Sequence, residues 1–139
     1  MPHPPFHECL NAQLRRSMRA VGKAYDAALR PAGIKSTQFT LLAVFAYHPE
    51  LSVSRLASIM GMDRTTLTRN LQPLLREGWL EIRGNDDGRV RVVRMTTAGS
   101  RKLAEAAPLW ESVQAKTAEL LGPDGREQLA QRLARLETG

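Results

Sequence analysis

The sequence predicts a mainly α chain with a small β-hairpin wing: a winged helix-turn-helix with N- and C-terminal dimerisation helices. Three observations carry this. Residues 64–77 place Leu67, Leu71, Leu74 and Leu75 at i, i+4, i+7 and i+8, the stripe of a helix with one buried face, and set arginine and threonine opposite. Two short β-prone stretches, 79–83 and 90–95, follow at once, joined by the turn-rich 84–89. Apolar helical stripes on either side of this unit exceed what a lone winged helix needs to bury.

The elements follow in order. Residues 1–5 are Pro-rich and are expected to lack regular structure. A helix is expected over 6–30, with Leu10, Leu14, Met18, Val21 and Tyr25 on one side, ended by Pro31-Ala32-Gly33. Ser36 is read as the cap of a second helix reaching residue 47. Its apolar content predicts burial, with Phe39, Leu42, Ala43 and Ala46 on one face, and His48-Pro49-Glu50 breaks it. Ser52 starts a short helix, 54–60, with Leu56, Ile59 and Met60 inward, and Gly61 closes it. Asp63 caps the helix 64–77, which stops before Gly78; Pro73 should bend its last turn. After the hairpin, Thr96 or Thr97 caps a long helix to about residue 121, kinked near Pro108. Gly122-Pro123-Asp124 separates it from a last helix, 125–136.

This order divides the 139 residues into a DNA-binding lobe, 36–99, and a helical dimerisation lobe, 6–30 with 100–137. Leu10 and Leu14 at one end and Leu129, Leu133 and Leu136 at the other are expected to face a second copy, along with Leu103, Ala107, Trp110 and Leu121. Lys+Arg of 20 against Asp+Glu of 14 gives +6 and favours a polyanionic partner. Sixteen of the twenty cations are arginine, which suits bidentate contacts to phosphate and guanine. No apolar run approaches the ~20 residues of a membrane span. With no secretory signal pattern and a single cysteine, the expected location is cytoplasmic. The chain offers no Cys/His pair at nucleophile spacing, no Gly-rich phosphate loop and no paired-carboxylate site, so it is not read as an enzyme and no cofactor is expected.

Arg64, Thr65, Thr66, Thr68 and Arg69 occupy the polar side of helix 64–77 and can face base edges and phosphates of double-stranded DNA in the major groove. Ser36, Thr37 and Gln38 begin a helix whose free N–H groups can meet a phosphate; helix capping accounts equally well for Ser36.

TQFTLLAVF (37–45), LASIMGMDRTTLTRNLQPLLREGWLEI (56–82), DDGR (86–89) and VRVVRMTTAG (90–99) together resemble the MarR family of bacterial winged helix-turn-helix regulators. LRRSMRAVGKAYD (14–26) resembles that family's first helix, so the likeness spans nearly the whole chain. It implies a homodimeric repressor on a palindromic operator, released by a small aromatic, anionic or oxidising effector. It also implies that Arg89 enters a minor groove at the wing tip, oriented by Asp87, while Gly88 departs from the basic or large residue common there. Asp86-Asp87-Gly88 reads as well as a plain turn. Two recognition helices ~34 Å apart lead to a pseudo-palindromic site of roughly 16–20 base pairs.

Arg16, His48 and Trp110 are candidates for an effector pocket at the lobe junction. Cys9 is a candidate redox centre, although the reactive cysteine of the family's peroxide-sensing branch aligns with Asn11; a buried or interfacial cysteine is the plainer account. His3, His7 and Cys9 sit in or beside a Pro-rich tail and make too thin a set for a metal. The competing reading is a winged-helix interaction or architectural module without effector response.

Overall fold

The computed structural model describes residue 3 and residues 5–84 and 91–139. A 3-10 turn, Phe6–Glu8, precedes α1 (Leu10–Leu29). The helix expected from residue 6 is interrupted at Cys9, whose backbone is extended (φ −73°, ψ 111°). A second 3-10 turn, Arg30–Ala32, and a left-handed Gly33 lead into α2 (Ser36–Val44). Then come β1 (Glu50–Ser52), α3 (Val53–Met60), α4 (Arg64–Arg76), β2 (Leu80–Gly84), β3 (Arg91–Met95), α5 (Thr97–Leu121) and α6 (Gly125–Thr138).

The core forms where α2, α3, α4, the sheet and the first half of α5 meet. Leu29, Leu42, Leu56, Leu67, Leu74, Val93 and Ala106 lose all contact with solvent, and Leu71 nearly all. The leucine stripe of α4 therefore faces inward as its spacing requires. α2 buries Phe39, Leu41 and Leu42, more of its circumference than the one face predicted.

β1 is an element the sequence did not suggest. The sheet is antiparallel in the order β1-β3-β2, with both Leu51 and Ile82 opposite Val93. Three residues after a proline carry no periodicity of their own, and β1 exists because β3 offers it a ladder.

Other expectations need correcting. Lys35, not Ser36, is the N-cap of α2. Ser36 is already helical, and its N–H donates to Asp26 Oδ1 at 2.8 Å. In α3 the inward residues are Val53, Leu56 and Ala57, while Ile59 is exposed. Val53 decides the face, because 53, 56, 57 and 60 form the i, i+3, i+4, i+7 set and Ile59 falls outside it. Leu103 and Trp110 pack on the chain's own core rather than awaiting a partner, with Trp110 stacked on Phe39 at 5.8 Å between ring centres. Two spans stand as expected: α4 runs through Pro73 to Arg76, and α5 through Pro108 to Leu121.

The joint between sheet and α5 is tight. Thr96 caps α5, its Oγ1 accepting from Gly99 N–H at 3.0 Å and donating to Gly78 carbonyl at 2.5 Å. Thr96 N–H donates to Trp79 carbonyl at 3.0 Å. A Cβ on Gly99 would sit 2.1 Å from that carbonyl oxygen, so the residue there can only be glycine without a shift of backbone. Lys102, one turn on, donates from Nζ to Ala32 carbonyl (2.6 Å) and to Glu105 (3.0 Å), and lies 5.6 Å from the Trp79 ring centre.

Candidate nucleic-acid interface

The turn between α3 and α4 sets the interface. Ser52 Oγ caps α3 by accepting from Arg55 N–H at 3.1 Å. Gly61 ends it at φ +65°, a left-handed conformation that favours glycine, and Met62 N–H reaches back to Ala57 carbonyl at 2.9 Å. Asp63 then starts α4, its Oδ1 accepting from Thr66 N–H at 2.7 Å. That hydrogen bond, with Arg69 contributing at longer range, holds the Asp63 carboxyl below the usual carboxylate range. The cap is thus a permanent anion at physiological pH.

On α4, Arg64, Thr65, Thr66, Thr68 and Arg69 are all exposed, while Leu67, Leu71 and Leu74 are buried behind them. Thr65, Arg69, Gln72 and Arg76 recur at i, i+4, i+7 and i+11 and make one line along the outer surface. Arg76 is absent from the expected contacts; its spacing of seven from Arg69 was the available signal. The helix presents donors and methyl groups outward with no carboxylate along that line.

At the start of α2 the trio Ser36, Thr37 and Gln38 divides. Ser36 N–H is held by Asp26, whose carboxyl lies below its usual range because of that bond, with Lys35 and Arg30 adding to it. Gln38 Oε1 accepts from Lys35 N–H at 2.9 Å. Thr37 is exposed, and an anion approaching this terminus would share it with Asp26.

In the wing strands, Glu81 pairs with Arg94 (2.9 Å) and Arg83 (3.2 Å), and Arg91 is exposed. Asp87 and Arg89, with Asp86 and Gly88, lie outside the described residues.

Five of the leucines expected to face a second copy come together. Leu10 and Leu14 of α1 and Leu129, Leu133 and Leu136 of α6 all line one mainly apolar groove of ~840 Å³, joined by Met18, Val21 and Leu121. Tyr25 hydroxyl donates to Gln114 Oε1 at its edge. α6 buries no residue of its own, and Leu136 is 55% exposed. Arg16 is exposed on α1, His48 is exposed on the turn after α2, and Trp110 stacks on Phe39; none of the three lines this groove. A second groove of ~680 Å³ lies between β1, β3 and the start of α5, lined by Phe45, Glu50, Arg94 and Thr97 among others. Cys9 is exposed. Among the described residues no helix is long and apolar enough to cross a membrane.

Comparison with known proteins agrees with this geometry. The family model described as "MarR family" matches residues 32–89. A solved structure of the Mycobacterium tuberculosis regulator MosR in complex with DNA is 37% identical, with a TM-score of 0.86 over 94% of this chain and 95% of that one. The chain belongs to the MarR family. As a MarR-family protein it is a DNA-binding transcriptional regulator and not an enzyme. The HTH-type transcriptional regulator YwoH of Bacillus subtilis is 26% identical over 93 residues, 67% of this chain and 68% of YwoH. The MarR-type fold extends to PcaV of Streptomyces coelicolor, solved with its natural ligand, at 18% identity and a TM-score of 0.87 over 100% of this chain and 99% of that one.

Proposed function

We propose that this protein is a homodimeric, effector-responsive repressor that binds a pseudo-palindromic operator. The observation that carries the reading is the outward line of Thr65, Arg69, Gln72 and Arg76 on a helix whose opposite face is locked in the core. Such a helix enters the major groove as a rigid unit, with Arg64, Thr65 and Thr68 near base edges and Arg69 at a base or phosphate. Thr66, in the first turn, and Thr37, at the start of α2, lie where the sugar-phosphate backbone passes. Arg89 enters the neighbouring minor groove, aimed by Asp87.

The apolar groove between α1 and α6 supports dimerisation, because a monomer would leave Leu10, Leu129 and Leu136 in water. The same surface on a two-fold mate covers it, and two α4 helices then meet one face of a duplex. Domain roles follow: 36–99 reads DNA, while 6–30 and 100–137 hold the dimer. A small aromatic or anionic effector at the junction of the two lobes would alter half-site separation, and the MosR–DNA and PcaV–ligand structures are the precedents for the two states.

The test is a footprint on genomic fragments followed by binding to synthetic duplexes. A two-half-site duplex should bind and a single half-site should not. Leu133→Asp should sediment as a monomer and lose the operator. A Leu133→Asp monomer that binds the operator as well as wild type would sink the dimeric reading.

A further inference from the structure

α1 is amphipathic in an uncommon sense. One side, Leu10, Leu14, Met18, Val21 and Tyr25, faces the apolar groove. The other carries Arg15, Arg16, Arg19 and Lys23, with Arg30 just past the helix end, and all five are exposed. At 100° per residue Arg16 and Lys23 fall in one line, with Arg15 and Arg19 beside it. Among the described residues no carboxylate lies within ion-pair distance of any of them. Asp26 is the single acid in α1, and it is engaged with Ser36 N–H. Arg15–Arg19 and Arg19–Lys23 are like-charge i, i+4 pairs, which destabilise an isolated helix. A stripe with this cost, whose one nearby acid is Asp26 at the Arg30 end, calls for an external counter-charge.

Its position indicates which. Through Arg30, Lys35 and the Asp26–Ser36 bond, the stripe runs onto the start of α2, beside the surface assigned to phosphate contact. From Arg16 to Arg30 it extends ~21 Å at 1.5 Å per residue, the length of about six base pairs at 3.4 Å each. We propose that the α1 stripe holds the phosphate backbone of duplex DNA flanking the operator, lengthening the footprint on each side. This rests on the DNA-binding reading above but adds contacts outside the winged helix. The contacts are to backbone, so they carry affinity and bending without sequence preference.

The experiment compares a minimal operator duplex with the same operator extended on one side by about ten base pairs of arbitrary sequence, each titrated across salt. Wild type should bind the extended duplex more tightly at low salt. With three added phosphate contacts it should lose about 40-fold more affinity than on the minimal duplex between 50 and 200 mM salt, from a slope of ~0.9 per phosphate. Arg15→Gln/Arg19→Gln/Lys23→Gln should bind the minimal operator as wild type does and show no gain from the flank. Circular dichroism should show it at least as helical. Equal salt slopes on the two duplexes in wild type would overturn the proposal. So would a triple variant that sediments as a monomer, since the counter-charge would then be the second copy, or one that loses only binding to anionic lipid vesicles. If wild type fails to bind even the minimal operator, the DNA-binding reading fails instead.

Discussion

Replacing Gly99 with alanine tests how tightly α5 is set against the sheet. The new Cβ would lie 2.1 Å from Trp79 carbonyl oxygen and 2.9 Å from Met95 Cγ. Reaching ordinary contact with the oxygen takes ~1 Å of movement, and the obstacle is backbone. Overpacking of this kind costs about 1–3 kcal/mol. The same movement stretches Thr96 N–H to Trp79 carbonyl, now 3.0 Å, beyond hydrogen-bond length. That loss adds about 1 kcal/mol. Better helix propensity returns about 0.5–1 kcal/mol, leaving a net loss near 2–3 kcal/mol. With an unfolding entropy of ~2.1 cal/mol/K per residue, a chain this long should melt about 7–10 °C lower. Thermal denaturation followed by circular dichroism at fixed protein concentration is the measurement. A Tm within about 2 °C of wild type, or above it, would refute the close approach of α5 to Trp79.

Three further outcomes follow from the same geometry. Arg69→Ala should weaken operator binding by about 1–3 kcal/mol in a gel-shift titration and leave the Tm unchanged, since Arg69 is exposed. Asp26 and Asp63 both titrate below the ordinary aspartate value of about 3.9, because each accepts a backbone N–H. Their contribution is complete above that value and vanishes as pH falls through the lowered folded values. The Tm gap between wild type and Asp26→Asn/Asp63→Asn should therefore be open near pH 6 and narrow as pH falls below the ordinary aspartate value. Lys102→Met keeps the aliphatic stem over Trp79 but removes the donor to Ala32 carbonyl and the cation over the ring. It should cost about 1–2 kcal/mol in urea unfolding.

How much of this could be read in advance depended on whether a residue's role is local. The α4 stripe, the Asp63 cap and the close of α3 at Gly61 are set by neighbours within four residues, and all three stand where spacing puts them. β1 is three residues long and is defined by a strand forty residues later, so no window of sequence contains the reason for it. Ser36 looked like a cap because serine often is one. Asp26, ten residues back and brought close by the Arg30–Ala32 turn, takes its N–H instead. The leucines of α1 and α6 were legible because their i, i+4, i+7 repeat survives whether the mate is the same chain or another. Arg16, His48 and Trp110 share no periodicity, and none of the three lines either groove described above.

The order β1-β3-β2 has a mechanical consequence. α3 and α4 are strung between β1 and β2, and β3 hydrogen-bonds to both, so the reading helix sits inside a ring closed by two ladders. Such a ring cannot open at the wing without breaking the sheet. Within one chain the distance from α4 to the base of the wing is therefore a built-in ruler. In the proposed dimer, adjustment is left to the angle between the two protomers. Operators should then accept a changed spacer between their two halves more readily than an inserted base pair inside either half.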